Sequence, residues 1–472
     1  KPTLAPARHA AGVETIKACI ARGETYQVNY TFPLRGRDPA APAERFAALY
    51  AAQRCAYAAL IETPDFAVAS VSPELFFRQT GERLECRPMK GTAPRGRWPE
   101  EDVALAARLQ RSEKDRAENI MIVDMMRNDL GRIARPGTVR TRSLFVVEHL
   151  PTVWQMTSTV EAESAAGLPE IFTALFPCAS VTGAPKVQTM RIIRELETEP
   201  RGLYTGAIGL VGPGRRAQFN VAIRTLVHLR GSGEARYGTG SGIVWDSVAG
   251  DEYAECLAKA RVLAQVPEFR LITTMKWTPD DGPALWERHM ARLARSAAHF
   301  GYSFDRVELE RVVGRAAAQF PATPQRVRLL LSADGSLAVE YRPLDTIPPA
   351  PRRIALTQNP VDSSDRFLFH KTTRRAVYEG ARVERPDVDD VLLWNEHGEV
   401  TETTIANVAV FSAGRWTTPP IRAGLLAGVM REELIARGDW VESPVRRADI
   451  PVGTELQLAN AVRGVWTARL VG

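Results

Sequence analysis

Two lysines and two pairs of carboxylates are the residues of this chain whose type and setting could do chemistry. Lys90 lies in Arg87-Pro88-Met89-Lys90-Gly91-Thr92-Ala93-Pro94-Arg95-Gly96, a turn-rich segment just past a strand-like run. Lys371 lies in His370-Lys371-Thr372-Thr373-Arg374, with Gly398-Glu399-Val400-Thr401-Glu402 further on. A neutral lysine amine attacks electron-poor carbon or condenses with an aldehyde, and either job needs desolvation or nearby positive charge. The acids Asp115 and Glu118 are three residues apart, so a helix sets them on one face, and Glu252 and Glu255 repeat the spacing. Four carboxylates on two helices can hold one Mg²⁺, which accepts a few carboxylates and keeps positions for water and an anionic ligand. Taken alone, acids at this spacing are a solvated helix face.

The elements that must position these groups follow from hydrophobic period. Helical patterns run over Glu100–Arg111, Asp115–Leu130, Pro185–Glu197 and Asp251–Val266, with short β-branched or aromatic runs between them: Leu144–Val147, Ala207–Val211 and Phe219–Leu226. Arg127–Gly131 reads as a helix end with a glycine stop, and Val181–Lys186 as a turn feeding a helix that opens on Pro185. Gly238–Gly242 reads as a backbone-exposing loop. The chain breaks near Val266-Pro267-Glu268 and restarts with a strand over Leu271–Trp277. A helix follows, with Leu285, His289, Leu293 and Ser296 on one face. The prolines of Thr346–Pro351 interrupt again. Arg366–His370 reads as a strand and Arg374–Glu384 as a helix. The expected division is one domain over residues 1–267 and a two-lobed second domain over 268–472, as 472 residues exceed one core.

The net charge of +6 is thinly spread, with no Lys/Arg-rich run of the kind nucleic-acid binding requires. No apolar stretch approaches membrane-spanning length and no signal peptide is evident. Cys19, Cys55, Cys86, Cys178 and Cys256 are odd in number and scattered, which suits reduced thiols in a cytoplasmic protein.

Gly23–Asn29, Ser72-Pro73-Glu74, Lys114–Asp129, Val181–Lys186, Ala222-Ile223-Arg224 and Gly240–Ser247 occur in the order and spacing of the chorismate-utilising enzymes, and this first domain resembles them over nearly its whole length. The resemblance implies antiparallel sheets flanked by helices. It gives Glu118 and Glu255 as Mg²⁺ ligands with Asp115 and Glu252 in support, the metal acting as Lewis acid on the leaving C4 hydroxyl. It assigns Arg224 and Tyr204 to the enolpyruvyl carboxylate, helped by Thr182 and the backbone N–H groups of Gly240 and Ser241. His149, in Glu148-His149-Leu150, would sit near the leaving group. Members of the family carry a long further stretch upstream, so the N-terminal part of this domain is read as short. Pro88-Met89-Lys90-Gly91-Thr92 resembles the aminodeoxychorismate synthases, whose lysine is the proposed nucleophile at C2. Anthranilate synthases resemble it with alanine at that place.

The second domain resembles the class IV (branched-chain aminotransferase-like) pyridoxal phosphate enzymes, through Lys371-Thr372-Thr373, Asp389–Asn395 and Val400–Val408. By that resemblance Lys371 carries the cofactor as an imine and shuttles protons at Cα. Glu402 pairs with the pyridine nitrogen and keeps the ring an electron sink. Arg292 binds the phosphate, together with backbone and hydroxyl groups of Thr403 and Thr404 and the helix start at Gly428-Val429. Leu458–Gly464 resembles the family's substrate-side loop.

The fold class expected is therefore α/β and α+β: a chorismate-utilising fold followed by a class IV aminotransferase-like domain. Joined in one chain, the two imply amination of chorismate to 4-amino-4-deoxychorismate and then elimination of pyruvate to leave 4-aminobenzoate. The rival is an anthranilate- or isochorismate-type domain fused to an aminotransferase, against which Lys90 argues. A chorismate-binding module without catalysis would require losses at Lys90, Glu118, Glu255, Lys371 or Glu402, and all five are present. Nothing resembles a glutamine amidotransferase triad, so ammonia is expected from a separate glutaminase subunit. Class IV enzymes suggest a homodimer.

Overall fold

The structure, a computed structural model, describes residues 1–150, 153–263, 268–344 and 351–472. Two compact units emerge: Lys1–Arg95 with Ala104–Val266, and Gly96–Val103 with Pro267–Gly472. The expected breaks at Val266-Pro267 and at Thr346–Ala350 lie outside the described residues.

In the first unit, six strands form an antiparallel sheet in the order Tyr57–Glu62, Phe66–Ser72, Thr225–Leu229, Glu234–Ile243, Gln27–Arg37 and Gly183–Ala184. A seven-stranded antiparallel sheet includes Leu75–Thr80, Arg83–Arg87, Met89–Pro94 and Val153–Glu163. Against it packs the helix Glu113–Gly131. Its start is fixed by Ser112, whose hydroxyl accepts from the Asp115 N–H at 3.2 Å. Ile122, Met126 and Leu130 recur every fourth residue and are buried against Phe76, Phe77, Leu84 and Val160. Each such side chain contributes about 1.5–3 kcal/mol by leaving water. Glu118 continues that row one turn toward the N-terminus, where the helix passes the Lys90 strand.

Several local expectations are corrected. Gly238–Gly242 is the interior of the strand Glu234–Ile243, because its backbone pairs with Gln27–Arg37. Phe219–Leu226 is two strands, Arg216–Val221 and Thr225–Leu229, parted where Arg224 adopts φ +50°. Gly131 is still helical and is not among the left-handed glycines; Arg132 caps the helix in αR geometry. Pro185 is the N-cap of Lys186–Leu196 rather than its first residue. The last predicted helix of the unit is Ala249–Lys259 followed by a 3₁₀ turn, Ala260–Leu263.

In the second unit, Leu271–Thr278, Gln325–Leu331 and Leu337–Pro343 form most of a four-stranded antiparallel sheet. The helix Trp286–Phe300 lies on it and buries His289, Met290, Arg292, Leu293 and Ser296. An eight-stranded mixed sheet makes the other lobe, and contains Asp390–Trp394, Val400–Thr403, Asn407–Ser412 and Glu455–Asn460. Arg366–His370 is not a strand. Asp365 accepts from the Phe367 N–H at 2.9 Å and turns Arg366–Leu368 into a 3₁₀ turn. The segment Gly96–Val103 belongs to this unit by its contacts. Trp98 stacks on Phe369 with ring centroids 5.1 Å apart, and His370 Nε2 lies 3.1 Å from the Arg97 carbonyl oxygen.

Candidate active sites

Lys90 stands on the strand Met89–Pro94 beside Gly91, whose φ of +93° only glycine adopts without strain. Its backbone carbonyl accepts from Asn119 Nδ2 at 3.2 Å, and Asn119 in turn accepts from Ser158 at 2.5 Å. Gln155 locks the next peptide: its Nε2 donates to the Gly91 carbonyl at 2.8 Å, and Thr92 donates to its Oε1 at 3.1 Å. The Lys90 ammonium lies 3.8 Å from Glu118 and directly over Gly242, where an added Cβ would stand 2.5 Å from Nζ. Burial pulls the Lys90 pKa down against the opposing pull of Glu118. Burial pushes Glu118 up. The two shifts converge, so moving the proton from lysine to carboxylate costs less than it would in water.

Glu252 and Glu255 belong to this group, since both act on Lys90 electrostatically. Glu255 pairs with Lys259 at 2.7 Å, and Glu252 accepts from Ser247 at 2.6 Å. Burial alone would raise the Glu255 pKa, but Lys259 and Lys90 outweigh it and hold it low. The expected four-acid cage is not formed: among the described residues, no three His, Cys, Asp or Glu side chains gather closely enough to hold a metal. The physical reason is that Lys90 and Lys259 stand among the acids, Lys90 facing Glu118 and Lys259 pairing with Glu255. The donor set, all hard carboxylate oxygen, still fits Mg²⁺ in kind. Asp115 packs against Gly91, with Oδ1 3.2 Å from where a Cβ would be.

Other expected residues lie apart. His149 is exposed at the end of its strand, its ring edge-on to Trp154, where the alternation kept along Arg140–Val147 breaks at Glu148. Gln155, which sequence reasoning passed over as an uncharged side chain, is the residue of that hairpin that reaches the Lys90 turn. Tyr204 lays its ring over Gly238, four register pairs along the strand from Gly242, and Arg224 has Tyr237 and Cys55 as its ionisable neighbours. Neither touches Lys90. Thr182 donates to the Cys178 carbonyl at 3.1 Å and shapes its turn. Gly240 is close-packed against Thr31, and Lys259 donates to its carbonyl at 2.8 Å. Both amide atoms of Gln27 are buried without hydrogen-bond partners among the described residues. Orphaned polar atoms of this kind beside the lysine suit a polar ligand.

The second centre is a cavity of about 380 Å³ lined by Lys371, Arg292, Glu402, Thr403, Thr404 and the Gly428-Val429 helix start. The Ile272 N–H donates to the Lys371 carbonyl at 2.7 Å and pins that turn to the four-stranded sheet. Burial, reinforced by Arg292 and Arg375, brings the Lys371 pKa down to about 7. Glu402 is pushed up to about 7 by burial. Three donors oppose that push: Tyr378 at 2.8 Å, the Leu426 N–H at 3.1 Å and Asn407 at 3.2 Å. Arg292 is 8% exposed, bonds Thr273 at 3.3 Å and makes no ion pair among the described residues. Glu432 and Glu402 act on it only at longer range, and Arg326 and Arg375 line the same cavity, so the site calls for an anion. The Thr403 hydroxyl donates to the Ala406 carbonyl at 3.0 Å and that of Thr404 to Asp390, which corrects the expectation of free hydroxyls and leaves backbone groups for a phosphate. A lysine ready for an aldehyde, a hydrogen-bonded acid and a buried arginine fit pyridoxal 5′-phosphate.

Residues 1–265 match the family described as chorismate binding enzyme, and residues 270–471 match amino-transferase class IV. The chain is 43% identical over 258 residues to aminodeoxychorismate synthase component 1 of Bacillus subtilis, covering 54% of each. It is 42% identical over 253 residues to an anthranilate synthase component 1 of Haloarcula marismortui, covering 53% of this chain and 51% of that one. The crystal structure of anthranilate synthase component I from Streptococcus pneumoniae matches with a TM-score of 0.52 at 32% identity, over 56% of this chain and 58% of that one. The chain spans about half the length of the curated relatives it matches. With the lysine and carboxylate cluster lying inside the longer of the two matched segments, the chain belongs to the chorismate binding enzymes and continues into an amino-transferase class IV domain.

Proposed function

We propose that this chain makes 4-aminobenzoate from chorismate in two steps, aminating it to 4-amino-4-deoxychorismate and then eliminating pyruvate. The relatives include both aminodeoxychorismate and anthranilate synthases, so their names do not select the first product. The observation that carries the reading is the buried lysine amine of Lys90 beside Glu118. Lys90 passes its ammonium proton by way of Glu118 to the C4 hydroxyl, which leaves as water while the freed amine adds at C2 of chorismate. Ammonia then adds at C4 as the lysine departs from C2, which restores Lys90. Mg²⁺ held by Glu118 and Glu255, with Asp115 and Glu252 behind them, would supply Lewis-acid polarisation of the leaving hydroxyl.

In the second unit, pyridoxal 5′-phosphate would supply the electron sink for carbanion chemistry. Lys371 would hold its aldehyde carbon, then take the Cα proton of the substrate and pass it to the departing enolpyruvyl group, which leaves as pyruvate. Glu402 accepts from the pyridine N–H, while Tyr378 and Asn407 keep the carboxylate aimed. Arg292 and the helix start at Gly428 hold the phosphate. The Asn460 side chain accepts from the Val462 and Arg463 N–H groups at 3.0 and 2.8 Å, which closes the loop at the cavity mouth. Ammonia comes from a separate glutaminase subunit, the chain pairs as a homodimer through its second unit, and it works in the cytoplasm, a reading supported by five free, buried cysteines.

The test is product identity. Purified chain given chorismate, ammonium, Mg²⁺ and pyridoxal 5′-phosphate yields 4-aminobenzoate by mass spectrometry. 2-Aminobenzoate as the product would overturn the reading.

A further inference from the structure

His289 is fully buried, lines the cavity of Lys371 and stands one turn before Arg292 on the helix Trp286–Phe300. Its Nδ1 lies 2.7 Å from the Thr273 hydroxyl oxygen, and Arg292 Nη2 donates to that same oxygen at 3.3 Å. These two contacts settle the tautomer. Thr273 accepts from arginine and has one proton of its own, for which His289 Nδ1 is the acceptor. The reverse assignment gives the hydroxyl two donors and leaves its own buried proton with no acceptor. Burial, with Arg292 and Lys371 nearby, pushes the imidazole pKa down to about 2, so the ring is neutral. The remaining nitrogen is therefore an N–H donor. Among the described residues it has no hydrogen-bond partner. A buried N–H with no acceptor is destabilising and rare, and one that lines a cavity beside Arg292 is placed for a ligand oxygen.

We infer that His289 donates its Nε2–H to an oxygen of the cofactor phosphate, next to the Arg292 guanidinium and oriented by Thr273. The inference rests on the pyridoxal phosphate reading above. The phosphate then meets one cation and one neutral donor from the same helix face, coupled through a single hydroxyl. A second cation there would pull the Lys371 pKa lower still, whereas a neutral imidazole adds a donor without adding charge.

The test uses the full chain, titrated with pyridoxal 5′-phosphate and separately with pyridoxal, which lacks the phosphate, by the visible absorbance of protein-bound cofactor. His289→Leu is expected to weaken pyridoxal 5′-phosphate by about tenfold or more, about 1.4 kcal/mol, and to leave pyridoxal within about twofold. His289→Gln, whose amide nitrogen reaches the place of Nε2, restores most of the affinity. The ³¹P resonance of the bound cofactor moves in His289→Leu and returns toward wild type in His289→Gln. Thr273→Val keeps the imidazole but frees its tautomer, giving an intermediate loss if His289→Leu does not fold. Equal weakening of both aldehydes, or unchanged affinity for the phosphorylated one, overturns the inference while the cofactor reading stands. Weakening confined to a bound benzoate competitor assigns the donor to a substrate carboxylate and also overturns it. No visible band in the wild type overturns the cofactor reading and this inference together.

Discussion

The same side chain is prepared for nucleophilic work in two different ways. At Lys371, burial and three arginines lower the pKa to about 7, with Glu402 pulling back. At Lys90, burial does the lowering and the acids nearby oppose it. Lys371→Ala is expected to abolish the visible cofactor band and stop production of 4-aminobenzoate while 4-amino-4-deoxychorismate accumulates. Lys90→Ala should lower amination by a factor of about 10³ or more, measured by chorismate consumption with ammonia, and leave the cofactor band intact. The sign of the pH effect at Lys371 follows from its depressed pKa. Only the free amine condenses with an aldehyde, so the rate of cofactor attachment to the apo-chain should rise from pH 6 to a plateau above about 8, with pH 6 at about a tenth of the plateau. An unshifted lysine would keep rising toward pH 10. Both lysines, Glu118, Glu255, Arg292 and Glu402 were legible in the sequence because their neighbours in the chain are distinctive. Gln155, Gln27, Lys259 and Tyr378 were not, since each acts on the sites through space from a distant segment and has an unremarkable local setting.

Among the elements, the strand Glu234–Ile243 shows how a glycine run was misread. Gly238, Gly240 and Gly242 share one face, and each is met closely by a neighbour: the Tyr204 ring, Thr31 and the Lys90 amine. Glycine gives no hydrophobic period, so sequence reading finds a loop there. The strand exists because backbone pairs with Gln27–Arg37 and Thr225–Leu229 hold it on both sides. Its bare face is what lets Lys90 lie across it. Gly242→Ala would set a methyl carbon 2.5 Å from Lys90 Nζ and 2.9 Å from Gln27 Nε2. The backbone there allows alanine, so unfolding temperature should stay within a few degrees while amination falls by about tenfold to a hundredfold. A loss of folding equal to the loss of rate would count against a positioning role. The long amphipathic helices Glu113–Gly131 and Trp286–Phe300 were found within a few residues because their buried stripes repeat at helical spacing. The turn Arg366–Leu368 was taken for a strand because a short aromatic run fits either, and the Asp365 cap decides it.

For the molecule as a whole, buried acids store electrostatic cost outside the two lysine sites as well. Glu74 is 3% exposed and hydrogen-bonded to Ser180 at 2.6 Å, and burial raises its pKa from 4.5 to about 7. A raised acid pKa means that the native state holds its proton more tightly than the unfolded chain does. Stability is therefore lost as pH climbs from 4.5 to about 7 and is level beyond, by roughly 3 kcal/mol from this group. Glu74→Gln should raise the thermal midpoint of the first unit at pH 8 relative to wild type and close that gap at pH 5. An equal gap at both values would contradict the assignment. The two-unit organisation was legible from the length and the proline breaks, but the membership of Gly96–Val103 was not. That segment lies in the sequence among residues of the first unit, and contacts through space such as the Trp98 stack on Phe369 and the Arg97 carbonyl beside His370 reveal its attachment. A gene cut between the two matched families would hence produce a C-terminal polypeptide missing eight residues that the ribosome made far earlier. Its neighbour to the reactive lysine, His370, would lose a partner. Halves separated at that seam should complement each other poorly in trans, and evolution could part them only by first building a replacement for that borrowed stretch.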